Sequence, residues 1–152
     1  MESLETQSLL DPADTSLDFV ERREGTIKPI AIFRLEGEFL LNYSDFSFFV
    51  NRNGWRSRTD WRIAWEGQPT AFALSHGYIL AFEPSFIEIR DVKTAALVHI
   101  VTGKNIRMLH ESTREVRFSL ALQKYISCAN GIIRLFTHMK MNLAVETMSL
   151  PA

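Results

Sequence analysis

From Lys28 to His110 no stretch keeps a 3.6-residue apolar period over the ten or more positions a helix needs. The apolar residues come instead in short runs: PIAIFRL (29–35), EFLLNY (38–43), FSFFVN (46–51), WRIAW (61–65), TAFALS (70–75), YILAF (78–82), FIEIR (86–90) and ALVHIVT (96–102). Each is 5 to 7 residues long and rich in Phe, Ile, Val and Tyr. Turn-forming residues separate them: EG, YSD, NRNG, EGQP, SHG, EPS and KT. Runs this short, with turns this frequent, predict an all-β chain of antiparallel strands.

The runs also repeat. When residues 38–54 are set above residues 78–94, Phe39 falls on Ile79, Leu40 on Leu80, Phe46 on Phe86 and Phe49 on Ile89, at a constant offset of 40 and without a gap. A period near 40 residues with about four strands is the unit of a β-propeller blade. The plainer alternative is a β-meander whose hairpins look alike by chance. Propellers close with about four to eight blades, so 152 residues hold two blades and part of a third. The chain is therefore read as part of a propeller. Residues 1–27, polar and acidic with a few apolar residues able to dock on a neighbour, read as a lead-in; 28–115 form the blades.

Composition fits a globular chain with a real core: 46% of residues are hydrophobic and 23% charged. The formal net charge is -1, which speaks against a dedicated nucleic-acid binder. A single cysteine, Cys128, cannot close an internal disulfide. No signal peptide and no apolar run long enough to span a membrane is visible, so a cytoplasmic location is expected. The Asn42-Tyr43-Ser44 sequon is read as accidental.

The search for chemistry is negative. His76, His99, His110 and His138 lie far apart, with no pair at metal-ligand spacing. Gly103-Lys104 lacks the rest of a phosphate loop, and no G-x-S-x-G elbow occurs. Asp11, Asp14 and Asp18 lack the spacing and terminal Glu of a calcium loop and are read as solvated residues or helix caps. Cys128 reads as a small, at least half-buried residue. No catalytic residue, cofactor or metal site is expected, and the chain is not expected to be an enzyme.

EFLL-x-Y, FFVNRNGWRSR, PTAFAL, LAFEPSFIEIR and GKNIR occur in order, at spacings that resemble the citron homology (CNH) domain in the form found at the C-terminal end of fungal Rho guanine nucleotide exchange factors. The similarity covers roughly residues 3 to 113. It departs at Asn42, where the family usually has Cys, and at His76-Gly77. The resemblance implies a seven-bladed propeller-like domain that serves as a protein-interaction platform. Its expected partners are a small GTPase of the Rho type or another signalling protein, and linked Dbl and pleckstrin homology domains of a parent protein. It also implies recruitment to the cell cortex. After Glu115 the pattern fades. Residues 116–152 are read as a divergent tail, either an extra hairpin (KYISCANGIIRLF) or a gene-model artefact such as a retained intron.

The arginine-aromatic stretch FFVNRNGWRSRTDW (48–61) is read as a hairpin turning at Asn53-Gly54, both residues being tolerant of positive φ. Strand alternation places Trp55, Trp61, Ile63 and Trp65 on one side and Arg56, Arg58, Asp60 and Arg62 on the other. The candidate protein-docking residues are Asn51, Arg52, Asn53, Trp55, Arg56, Arg58, Lys93, Lys104, Asn105 and Arg107, chosen on exposure and charge; for each, the plainer reading is a solvated turn or strand face. Three alternatives to docking stand beside it: a propeller that folds back on a linked exchange or kinase domain and tunes it, a non-functional truncated product, and nucleic-acid binding through the Arg/Trp stretch, which net charge and strand alternation disfavour.

Overall fold

The computed structural model describes residues 9–111, with side chains through residue 109, and the backbone of further strands between 116 and 149. The side chains of His110, Cys128 and His138 lie outside the described residues, and so does the start of the lead-in. The chain divides into two compact units, Met1–Ala64 and Trp65–Ala152.

The first unit is one antiparallel sheet with the lead-in folded onto it. Strands β1 (Pro29–Leu35), β2 (Glu38–Tyr43), β3 (Phe46–Val50) and β4 (Ile63–Ala64) lie in sequence order. The run WRIAW gives only the two-residue β4, because residues 57–62 are irregular; an isolated bridge, Val50 to Arg56, marks the start of the return. Adjacent residues of a strand face opposite ways. Phe48 and Phe49, both fully buried, thus fill both faces of β3.

Phe48 meets the lead-in. Asp14 caps a 3-10 turn (Thr15–Leu17) by accepting from the Ser16 N–H at 2.9 Å, and helix α1 (Asp18–Glu21) follows. Leu17, Val20 and Ile27 are buried against Leu41, Phe46, Phe48 and Val50. The Phe19 ring stands edge-on to Phe46 and Phe48, each at 5.2 Å.

The second unit opens with β5 (Ala71–Ser75), β6 (Tyr78–Phe82), β7 (Phe86–Asp91) and β8 (Leu97–Thr102), again in sequence order in one antiparallel sheet. Its core is Ala73, Leu80, Phe82, Ile87, Ile89 and Ile106. Strand β9 (Arg107–Glu111) leads into a five-stranded sheet with β10 (Val116–Leu120), β11 (Lys124–Ala129), β12 (Ile132–Met139) and β13 (Asn142–Ser149).

The turns explain the repeat. Glu36-Gly37 (φ 48° and 92°) and His76-Gly77 (φ 48° and 83°) both have the left-handed pair that a two-residue primed turn needs, and they close the β1–β2 and β5–β6 hairpins 40 positions apart. Asn53-Gly54 is different from expectation. Only Gly54 has positive φ, at 79°. The Gly54 N–H donates to the Asn51 carbonyl at 3.2 Å and the Asn51 N–H to the Trp55 carbonyl at 2.8 Å. This is the three-residue loop with a glycine bulge, in which one left-handed residue suffices.

Candidate interaction surface

The arginine-aromatic loop is built around internal partners. Asn51 Oδ1 accepts from the N–H groups of Asn53 (2.9 Å) and Trp55 (3.1 Å), which shapes the loop. Asp11 Oδ2 accepts from Trp55 Nε1 at 2.9 Å, and the Asp11 N–H donates to the Gly54 carbonyl at 3.2 Å. Gly54 is irreplaceable here for a second reason: a Cβ would press on the Leu9 carbonyl and the Asp11 N–H. Asp14 Oδ2 accepts from the Arg56 N–H at 2.7 Å. Hydrogen bonds from Ser16 and Arg56 hold the Asp14 carboxyl below its ordinary pKa.

The arginines do not share one face. Arg58 donates through Nε and Nη2 to Glu38 Oε2 (2.9 and 2.6 Å), and its guanidinium lies 3.9 Å from the centre of the Phe49 ring, which Trp61 also contacts edge-on at 4.7 Å. Burial pushes the Glu38 carboxyl up, but hydrogen bonds from Arg58 and Ser57 outweigh it and leave the pKa lowered. Arg56 and Arg62 lie over the Phe19 ring, at 5.3 and 5.6 Å, on the Phe48 side of the sheet. Strand alternation misplaced them because the irregular backbone of 57–62 has no two-residue period. It also misplaced Trp55. That ring is 42% exposed on the loop, while Trp61, Ile63 and Trp65 are buried.

The remaining candidates divide between the units. Arg52 and Asn53 are exposed in the first; Lys93, Lys104, Asn105 and Arg107 are exposed in the second. Lys93 sits in a loop organised by Asp91, whose Oδ1 accepts from the N–H groups of Lys93 and Thr94, both at 2.8 Å. Those bonds, the Thr94 one first, hold the Asp91 carboxyl below its ordinary pKa. Asn105 takes a left-handed conformation, φ 50°. The Asn42 sequon is closed to modification: Asn42 is 1% exposed, donates to the Ala31 and Leu40 carbonyls at 3.3 Å, and accepts from Ser47 Oγ at 2.7 Å.

Two features escaped sequence reasoning. Glu88, in the apolar run FIEIR, is buried; it pairs with Arg90 and accepts from the Glu66 N–H at 3.4 Å. Burial, and the nearby Glu88 charge, raise the Glu83 pKa. The other is a groove of about 480 Å³ between the lead-in and the first sheet. It has an apolar floor that includes Leu10, Val20 and Ile27, and carboxylates from Asp11, Glu21 and Glu24. Its parts come from three separate stretches of chain, so no local motif announces it. Among the described residues no helix is long and apolar enough to cross a membrane, and no cluster of metal-ligating side chains occurs.

Two successive four-stranded antiparallel sheets with matching hairpins are the arrangement of propeller blades, and residues 1–112 match the CNH domain. The chain belongs to the CNH domain family. It is 64% identical over 110 residues to the Rho1 guanine nucleotide exchange factor 1 of Schizosaccharomyces pombe, a match covering 72% of this chain and 8% of that protein. It is 50% identical over 112 residues to the RHO1 GDP-GTP exchange protein 2 of Saccharomyces cerevisiae, covering 74% and 8%. Among solved structures, the AfRom2 CNH domain is 70% identical and superposes with a TM-score of 0.74, over 79% of this chain and 38% of that one. This CNH sequence therefore spans less than a tenth of each of these two exchange factors, and well under half of that solved CNH domain.

Proposed function

We propose that the chain is a non-catalytic protein-interaction portion of a Rho guanine nucleotide exchange factor-type regulator, acting in Rho-type GTPase signalling at the cytoplasmic side of the cell cortex. The observation that carries this is the 64% identity, over 110 residues, to a protein named as a Rho1 exchange factor. The geometry is compatible with a docking role. Arg52, Asn53 and Trp55 face solvent on a loop held by Asn51, Lys93 on a loop held by Asp91, Lys104 in the turn before β9 and Arg107 at the start of β9, and binding residues commonly sit on loops fixed by a rigid scaffold.

The test is capture of a purified Rho1-type GTPase, nucleotide-free, GDP-loaded or GTP-analogue-loaded, by the immobilised chain. Binding in any state supports the reading. Absence of binding in all three states, together with an unchanged exchange rate when the matching region is deleted from an exchange factor, removes it.

A further inference from the structure

The groove between the lead-in and the first sheet has a composition that selects its occupant. Its floor is apolar: Leu10, Leu17, Val20 and Ile27, with Pro29 and the Tyr43 ring at one end. Tyr43 is held by stacking at 5.9 Å on Phe48, and burial raises the pKa of its phenol, so it remains a neutral donor. Among the described residues, the charged ones lining the groove are Asp11, Glu21 and Glu24, with no Lys or Arg. Of the basic residues near it, Arg22 pairs with Asp18 at 3.7 Å and Arg23 with Asp45 at 3.2 Å, while Lys28, between Ile27 and Pro29, is exposed. Asp11 accepts from the Ala13 N–H at 2.9 Å and from Trp55 Nε1 at 2.9 Å. Glu21 and Glu24 are exposed, at the end of α1 and just beyond it.

A groove with an apolar floor and carboxylates of one sign repels acidic partners and rewards a ligand that buries an apolar side chain while presenting cations to the rim. We infer that this groove binds a basic, apolar peptide segment of a protein partner, with a Leu- or Met-like side chain on the Val20–Ile27 floor and flanking Lys or Arg residues at Glu21 and Glu24. The inference rests on the reading of the chain as an interaction module and names the chemistry of one partner. The described residues that line the groove all belong to the first unit.

The experiment uses the full chain and a fluorescein-labelled peptide of about twelve residues in which lysines flank a pair of leucines, read by anisotropy. The expected result is saturable binding, weakened about tenfold in Glu21→Gln/Glu24→Gln and weakened as ionic strength rises from about 0.05 to about 0.3 M. Replacing the leucines by serine, or the lysines by glutamate, should abolish it. Both substitutions in the chain are at exposed positions, so an unchanged circular dichroism spectrum accompanies the loss. Equal binding of the glutamate peptide, no effect of the double variant, or no binding of the lysine peptide overturns the proposal. So does self-association of the chain that the peptide displaces, because the occupant is then a second copy. Peptide binding with neither GTPase capture nor a changed exchange rate on deletion removes only the GTPase reading; GTPase capture without peptide binding removes only the groove.

Discussion

Ala95 occupies a conformation that suits another residue. Its φ is 62°, in the loop between β7 and β8, where its N–H donates to the Asp91 carbonyl at 2.9 Å. A Cβ in the left-handed region costs about 1 kcal/mol, which glycine avoids. Ala95→Gly should therefore raise stability by somewhat less than about 1 kcal/mol, since glycine also loses more chain entropy on folding; a higher urea midpoint with an unchanged slope is the check. Arg58 makes the opposite case. It joins the Glu38 carboxylate to the Phe49 ring, and both partners of the ion pair are more than two-thirds buried. Arg58→Ala should cost about 2 kcal/mol, more than a surface pair, because it strands Glu38 as well as removing the ring contact. A double-mutant cycle with Glu38→Gln isolates the pair. The same group sets a pH dependence. The folded pKa of Glu38 lies below the ordinary 4.5, so its contribution is fully present above that value and is lost as pH falls through the folded pKa. Glu83 has the reverse sign. Its folded pKa lies above 4.5, so its charge opposes folding at neutral pH and ceases to do so in acid. Thermal melts from pH 7 to pH 3 should show Glu38→Gln flattening the acid loss and Glu83→Gln stabilising at pH 7 but not at pH 3.

Elements were more legible than the contacts between them. The eight apolar runs became seven full strands and one short one, because strand period and turn residues act within a few positions of the chain. The 40-residue repeat survives as paired primed turns for the same reason. Long-range partners leave no local mark in the sequence. Nothing local says that Asp14, 42 residues away, fixes the Arg56 N–H, or that Leu9 lies against Gly54. The groove was hidden likewise, since Glu21 and Tyr43 meet only after the lead-in docks. That docking is testable through glycine. Gly77 has φ 83° and open space around it, so Gly77→Ala should cost only the left-handed penalty, about 1 kcal/mol. Gly54 has a similar φ but is pressed by the Leu9 and Asp11 backbone. Gly54→Ala should cost about 2 to 3 kcal/mol and should free the lead-in, seen as faster tryptic cleavage at Arg22 and Arg23. Equal costs at the two glycines would mean that the lead-in contact contributes nothing.

At the scale of the molecule the open sheet edge matters most. Strand β8 is the last in the order β5-β6-β7-β8, and no strand among the described residues pairs with its outer side. Its register against β7 shifts between Ile89 and Arg90, which disrupts the edge at the Leu97 end but leaves His99–Thr102 regular. Natural edges are protected by bulges and by lysine; here the regular stretch carries Ile100, which is 41% exposed. A net charge of -1 gives little long-range repulsion to keep copies apart. Concentration-dependent self-association through β8 is the expected outcome. Ile100→Lys should suppress it at little cost, because the side chain is already partly in water and its cross-strand neighbour is Glu88, a carboxylate. Sedimentation velocity over a concentration series is the measurement. The wild-type mass average should climb with concentration while that of Ile100→Lys stays flat, with stability changed by no more than about 0.5 kcal/mol. If both climb alike, association runs through another surface and the β8 edge is already protected.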